Sequence, residues 1–158
     1  MQIKQLIDED FVNYRKPSMY IAFPRCTWKC ETEFGSVFCQ NKRIANQKNI
    51  DVRIDDIITR YTDNILTESI VISGLEPFDD FEQLYEFIFK LRKVCNDDVV
   101  IYSGYYLEEV RSYIERLSVF NNIIVKFGRY IPNRAKRFDS ILGVMLASDN
   151  QYAEVISK

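Results

Sequence analysis

Short β-branched runs that alternate with helical patterns limit what this chain can become. Ser69–Ser73 stops at Gly74, Val99–Tyr102 stops at Ser103-Gly104, and Asn122–Phe127 stops at Gly128. Each run has the length and composition of a buried strand. Between them Phe81, Leu84, Tyr85, Ile88, Leu91 and Val94 recur at spacings of three and four, as do Leu107, Val110, Ile114 and Leu117. Both sets read as amphipathic helices, and Asp80 with Gln83 has the form of a capping box opening the first. Upstream, Ser18–Phe23 is a further strand halted by Pro24, and Asp55–Tyr61 suggests a short helix. In the tail, Ile141–Leu146 and Tyr152–Ile156 look strand-like around the polar turn Ser148-Asp149-Asn150. Strands separated by helices build βαβ units, whose right-handed crossovers make a parallel sheet. The expected class is α/β, with a mostly parallel sheet that is open or partly closed.

In such sheets chemistry gathers at the carboxyl ends of the strands. Cys26, Gly74-Leu75-Glu76-Pro77, Ser103-Gly104-Tyr105 and Gly128-Arg129 all follow predicted strands, so this topology brings them to one rim. With 158 residues and no repeat or linker, a single domain over 1–158 is expected. The 21 basic and 23 acidic residues leave a net charge of −2, too balanced for nucleic-acid binding. No run of about 18 apolar residues occurs, so no membrane span is expected. Met1–Asp10 carries acids where an export signal has its apolar run. A cytoplasmic protein follows, in which thiols stay reduced.

The chain has no histidine. That removes Ser-His-Asp and Cys-His catalysis, zinc fingers that mix cysteine with histidine, and His-held haem, and a metal must use sulfur or carboxylate. Cys26, Cys30 and Cys39 lie within fourteen residues, in an aperiodic stretch from Arg25 to Asn49 that also holds the only Trp, Trp28. Three thiolates are one short of a closed zinc site and suit an iron-sulfur cluster with one open corner. The spacing alone also admits three unrelated thiols, or zinc completed by Glu31 or Glu33. Cys95 falls near the apolar stripe of the long helix and reads as a packing thiol. Glu76 is either a ligand contact or a cap for the following helix. Trp28 reads as a packing lid. The basic group Arg129, Arg134, Lys136 and Arg137 is a solvated face or a docking surface.

Pro24-Arg25-Cys26-Thr27-Trp28-Lys29-Cys30, leading to Phe38-Cys39-Gln40-Asn41, resembles the cluster loop of radical S-adenosylmethionine (SAM) enzymes. More narrowly, the chain resembles the small activating proteins of anaerobic ribonucleotide reductase. Ser73-Gly74-Leu75-Glu76-Pro77 resembles their Gly-Gly-Glu-Pro segment and Tyr102-Ser103-Gly104-Tyr105 their Thr-Gly-Tyr. Phe127-Gly128-Arg129-Tyr130 resembles their Asp-Gly-Lys-Phe region and Ala147–Gln151 their terminal Ser-Ser-Asn-Gln. The order is the family's order. This chain departs from it in three places: its C-x8-C spacing implies about six extra residues around Glu31 to Ser36, Leu75 replaces a Gly, and the family's early glycines are missing around Asn13 to Pro17.

The resemblance implies a partial (β/α) barrel of radical SAM type. Cys26, Cys30 and Cys39 would hold a four-iron four-sulfur (4Fe-4S) cluster. Ser73, Gly74, Leu75, Glu76 and Pro77 would approach the SAM amino group, Ser103 its ribose or carboxylate, and Phe38 its adenine. The implied reaction is reductive cleavage of SAM to a 5′-deoxyadenosyl radical. The implied partners are the large chain of an anaerobic ribonucleotide reductase, which would receive a glycyl radical, and an electron donor such as flavodoxin. Two other readings stand beside it: a radical SAM enzyme acting on a peptide, nucleotide or other small molecule, and a non-catalytic interaction protein whose three cysteines bind a metal.

Overall fold

A computed structural model describes residues 1–35 and 37–157. In chain order the strands and helices before the long helical pattern are β1 (Gln2–Ile3), β2 (Gln5–Asp10), β3 (Ser18–Phe23), α1 (Lys29–Phe34), α2 (Lys42–Ala45), β4 (Ile50–Asp51), α3 (Ile54–Thr62) and β5 (Ser69–Gly74). A 3-10 turn, Pro77–Asp80, leads into α4 (Phe81–Leu91), followed by β6 (Asp98–Tyr102), α5 (Leu107–Leu117) and β7 (Ile123–Phe127). The chain finishes with β8 (Arg137–Asp139), β9 (Val144–Leu146) and β10 (Tyr152–Val155). The expected central strands and the two long helices all form.

The main sheet has the order β10-β7-β6-β5-β3-β2. Its centre is parallel, with Ser18 opposite Ser69, Val71 opposite Val100, and Ile101 opposite Val125. β2 and β10 close the two sides antiparallel. The sheet stays open at both, and among the described residues no barrel closes.

The parallel strands are added in one direction, so right-handed crossovers put their helices on one face. Met19, Ile21, Phe23, Ile70, Ile72, Val99, Ile101, Ile123, Val125 and Phe127 point there, into one core with α3, α4 and α5. Alternate residues face the other way. On that second face Tyr20, Ala22, Val71, Val100 and Ile124 meet Tyr14, Leu142 and Leu146, which come from the N-terminal loop and the β8–β9 hairpin instead of helices. Under the helices Phe81 stacks on Tyr113 at 4.1 Å, and the Arg116 guanidinium lies 4.6 Å from the Phe81 ring.

Three local expectations change, and one strand is added. Asp80 makes no side-chain cap bond. Gln83 instead exchanges two hydrogen bonds with the main chain of Gln2, 2.6 and 2.8 Å long, because β1 runs past the start of α4 and offers a better partner than a local box. The Arg25–Asn49 stretch contains the two short helices α1 and α2. Only Val144–Leu146 of the Ile141–Leu146 run is strand: the Asp139 carboxylate accepts the amides of Ile141 and Leu142, both at 3.0 Å, and turns the chain. The polar N-terminal segment, which has no apolar run to signal a strand, forms edge strand β2. No helix of the described residues is long and apolar enough to cross a membrane.

Candidate functional site

At the carboxyl ends of β3, β5, β6 and β7 the second face opens into a cavity of about 340 Å³, a size common for small-molecule sites. Strand alternation explains its position. Tyr20, Ser73, Tyr102 and Lys126 occupy the positions that point away from the helices, and all four line it. The N-terminal loop contributes Val12 and Asn13, and the hairpin and tail contribute Val144 to Ala147 and Gln151.

Cys26, Cys30 and Cys39 all line this cavity, together with Phe38, Ser73, Leu75, Glu76 and Ser103. Gly74 and Pro77 do not. Gly74 has φ +90°, and a Cβ there would stand 2.7 Å from the Ala22 Cα and 2.8 Å from the Phe23 nitrogen, so its service is the close pairing of β3 and β5. Pro77 is buried as the first residue of the 3-10 turn. Phe38 packs between Phe34 and Tyr130, 5.9 Å from each.

The thiols are free and half-buried. Burial pushes Cys26 up to about 12, with Glu76 and Cys30 adding to the rise. Burial likewise raises Cys30, helped by Cys39, and raises Cys39, helped by Glu31. Cys30 thus sits within electrostatic reach of both other thiols. A thiolate ligand must shed its proton, so loading of this site is coupled to proton release. Trp28 is half-buried at φ 57°, and its amide donates to the Cys26 sulfur at 3.2 Å.

Glu76 combines capping with a wider role. Its Oε1 accepts from the Phe78 amide at 3.2 Å and the Ser103 hydroxyl at 2.9 Å, and its Oε2 accepts from the Gly104 amide at 2.8 Å. The carboxylate therefore ties the loop after β5 to the loop after β6. Burial still dominates and pushes it up to about 7. The Ser103 proton is committed within the protein, and its hydroxyl oxygen also accepts from the Tyr105 amide at 2.9 Å.

Two basic residues have places that the sequence analysis does not assign them. Lys126 is buried on the cavity wall, with its ammonium donating to the carbonyls of Ser103 at 2.8 Å and Gly128 at 2.9 Å. Burial lowers it to about 8. Its signal is a single cation inside an apolar strand. Arg129 belongs to no solvated face: its side chain is 5% exposed and binds Glu109 through two nitrogens, at 2.7 and 2.6 Å. Of the other basic residues, Arg134 pairs with Asp149 at 3.1 Å, and Lys136 and Arg137 are exposed. Cys95 precedes β6, at the opposite end of the sheet from the other thiols, and packs against the helical core.

The donor set fits an iron-sulfur cluster, in which each thiolate takes a different iron. Among the described residues no three of Cys, Asp or Glu, these three cysteines included, are grouped closely enough to hold a metal ion. The carboxylates that could have completed a zinc site are also committed. Glu31 accepts the amides of Phe38 and Cys39 at 3.1 and 2.9 Å, and Glu33 faces Arg129 at 2.8 Å.

Comparison with known proteins agrees with this chemistry. No curated protein and no solved structure matches the chain. A family model described as a 4Fe-4S single cluster domain matches residues 18–151. That match runs from the first residue of β3 to the last before β10 and takes in Cys26, Cys30 and Cys39. With far more than half of its length covered, the chain belongs to the 4Fe-4S single cluster domain family.

Proposed function

We propose that this cluster-binding protein is a radical SAM enzyme, with Cys26, Cys30 and Cys39 holding the cluster and SAM reaching it in the cavity they line. One observation carries the reading: the three thiols share a cavity with Ser73, Leu75, Glu76 and Ser103, from the ends of β5 and β6. A cluster with three protein ligands has an iron free for an outside molecule, and the thiols face the cavity where such a molecule would approach. Cys26, Cys30 and Cys39 would hold the cluster, which when bound and reduced would supply the one electron needed for reductive cleavage of SAM to methionine and a 5′-deoxyadenosyl radical.

The chain's own residues orient and shield. Glu76 holds two rim loops together, Lys126 places a buried cation on the cavity wall within electrostatic reach of Glu76 and Cys30, and Leu75 and Phe38 supply apolar contact. The protein supports the cofactor chemistry by positioning and by excluding water.

The substrate of the reading is a backbone glycine of a partner protein, the large chain of an anaerobic ribonucleotide reductase, with a flavodoxin-type donor supplying the electron in the cytoplasm. Support comes from the cavity mouth, where Val12 and Met145 line the opening yet are 74% and 57% exposed. An apolar rim of this kind suits protein docking.

Anaerobic reconstitution with iron and sulfide, then dithionite and SAM, tests the reading by chromatography for 5′-deoxyadenosine. Product from wild type and none from Cys39→Ala is expected. A full cluster that yields no product, with or without the reductase, would overturn it.

A further inference from the structure

The C-x8-C spacing raises a physical problem. Cys39 must return to the cavity that holds Cys26 and Cys30 across eight residues of chain, most of them exposed. A free loop of that length would spread the third thiol over many positions, at an entropic cost. The described part of the extra segment, residues 31–35, lies in α1 and its closing turn, and Ser36 falls outside the described residues.

Two carboxylates of α1 reach in different directions. Glu31 accepts the amides of Phe38 and Cys39 at 3.1 and 2.9 Å, folding the far limb of the loop back onto the helix. Glu33 Oε2 lies 2.8 Å from the Nε of Arg129, an ion pair and not an aligned hydrogen bond, since that buried nitrogen has no hydrogen-bond partner. Arg129 is held in turn by Glu109 of α5 and by the Tyr106 ring, 4.8 Å from its guanidinium. It also borders a small space shared with Cys26 and Cys30. A buried arginine with a planar fork is suited to fix two carboxylates at once.

We infer that Arg129 and Glu33 are positioning residues that dock the extra segment onto the α/β frame, and that Glu31 transmits this docking to Cys39, so the longer loop presents three thiols to one cluster. The inference rests on the proposed three-cysteine ligand set but not on SAM. It makes α1 a splint, joined to Arg129 through one carboxylate and to the third ligand through the other, with Lys29 of the same helix also 3.3 Å from Glu109 of α5.

Glu33 is 45% exposed at its side chain, so Glu33→Gln leaves the core untouched and is the principal variant, with Arg129→Met and Arg129→Lys beside it. The first measurement is alkylation of the apoprotein by iodoacetamide, mapped by mass spectrometry. In Glu33→Gln the rate at Cys39 is expected to rise about fivefold or more while that at Cys95 stays at the wild-type value. A merely structural loss would raise both. The second is anaerobic reconstitution followed by electron paramagnetic resonance of the reduced cluster. Glu33→Gln is expected to give lower cluster content and a changed signal at an unshifted apoprotein melting temperature. Arg129→Met is expected to show the same cluster defect, and Arg129→Lys to restore part of it.

Wild-type Cys39 reactivity and cluster signal in Glu33→Gln would overturn the tether, even if Arg129→Met were damaged, because Arg129 would then act through Glu109 alone. Failure of wild type to take up any cluster would instead sink the three-cysteine ligand set, while the alkylation rates would still decide whether Glu33 orders Cys39.

Discussion

The two faces of the sheet are built on different principles. The helical face is apolar and redundant: α3, α4 and α5 bury Ile57, Leu84, Phe87, Ile88, Leu91 and Leu117 at 1% exposure or less, and many contacts share the work. The second face is covered by loops, a hairpin and a cysteine-bearing segment. Its buried groups at the cavity include Glu76, Ser103 and Lys126, each held by a few specific hydrogen bonds. One face carries stability and tolerates averaging, whereas the other carries chemistry and depends on single residues. Right-handed crossovers produce this division by sending every long helix to the same side.

The contrast can be broken at several points. The largest effect is expected from Cys39→Ala, which should abolish the intact cluster in iron and sulfide analysis while the far-ultraviolet circular dichroism stays that of wild type. Phe87→Ala should do the reverse. It empties a site with 0% exposure and should cost about 3–5 kcal/mol in urea unfolding, yet the remaining folded protein should load a cluster normally.

Acid sharpens the comparison through Glu109. The Arg129 guanidinium beside it, with the Tyr106 amide, holds its carboxyl down to about 2, below an ordinary value of 4.5. A group lowered on folding contributes stability in full above the unfolded value and loses it as pH falls through the folded one. Glu109 is partly open to solvent, which screens the pair, so its contribution above about pH 4.5 should be on the order of 1 kcal/mol. That contribution should fade toward pH 2, which urea midpoints of wild type and Glu109→Gln across this range would show as converging curves. The smallest effect is expected from Cys95→Ala. Cluster content should not change, and the loss of stability should stay below about 1 kcal/mol, because this half-buried thiol belongs to the helical side.

The sequence exposes the helical face far better than the site. Ser18–Phe23, Ser69–Gly74 and the pattern of Phe81, Leu84, Ile88 and Leu91 are legible because burial repeats with a fixed period. The cysteines are legible because few side chains share their chemistry. What stays hidden depends on partners far away in the chain. Gln83 leaves its expected box for Gln2, 81 residues earlier. Arg129 looks like part of a basic surface until Glu109 and Glu33 are seen around it. Glu31 looks like a candidate metal ligand until the Phe38 and Cys39 amides claim it. Lys126 has a visible signal, a cation at a strand position that alternation sends away from the helices, and alternation applied to that one residue would have placed it in the cavity.

The cavity takes its walls from distant parts of the chain: Val12 and Asn13 near the start, Leu146, Ala147 and Gln151 near the finish. Gln151 is anchored there by its amide donating to the Gly128 carbonyl at 3.2 Å, next to the strand that pairs with β7. A ribosome makes Cys26 more than a hundred residues before it makes that last wall. Cys26, Cys30 and Cys39 are therefore made well before the walls of the cavity they line, and on the proposed ligand set cluster delivery belongs after the Gln151 segment has folded into place.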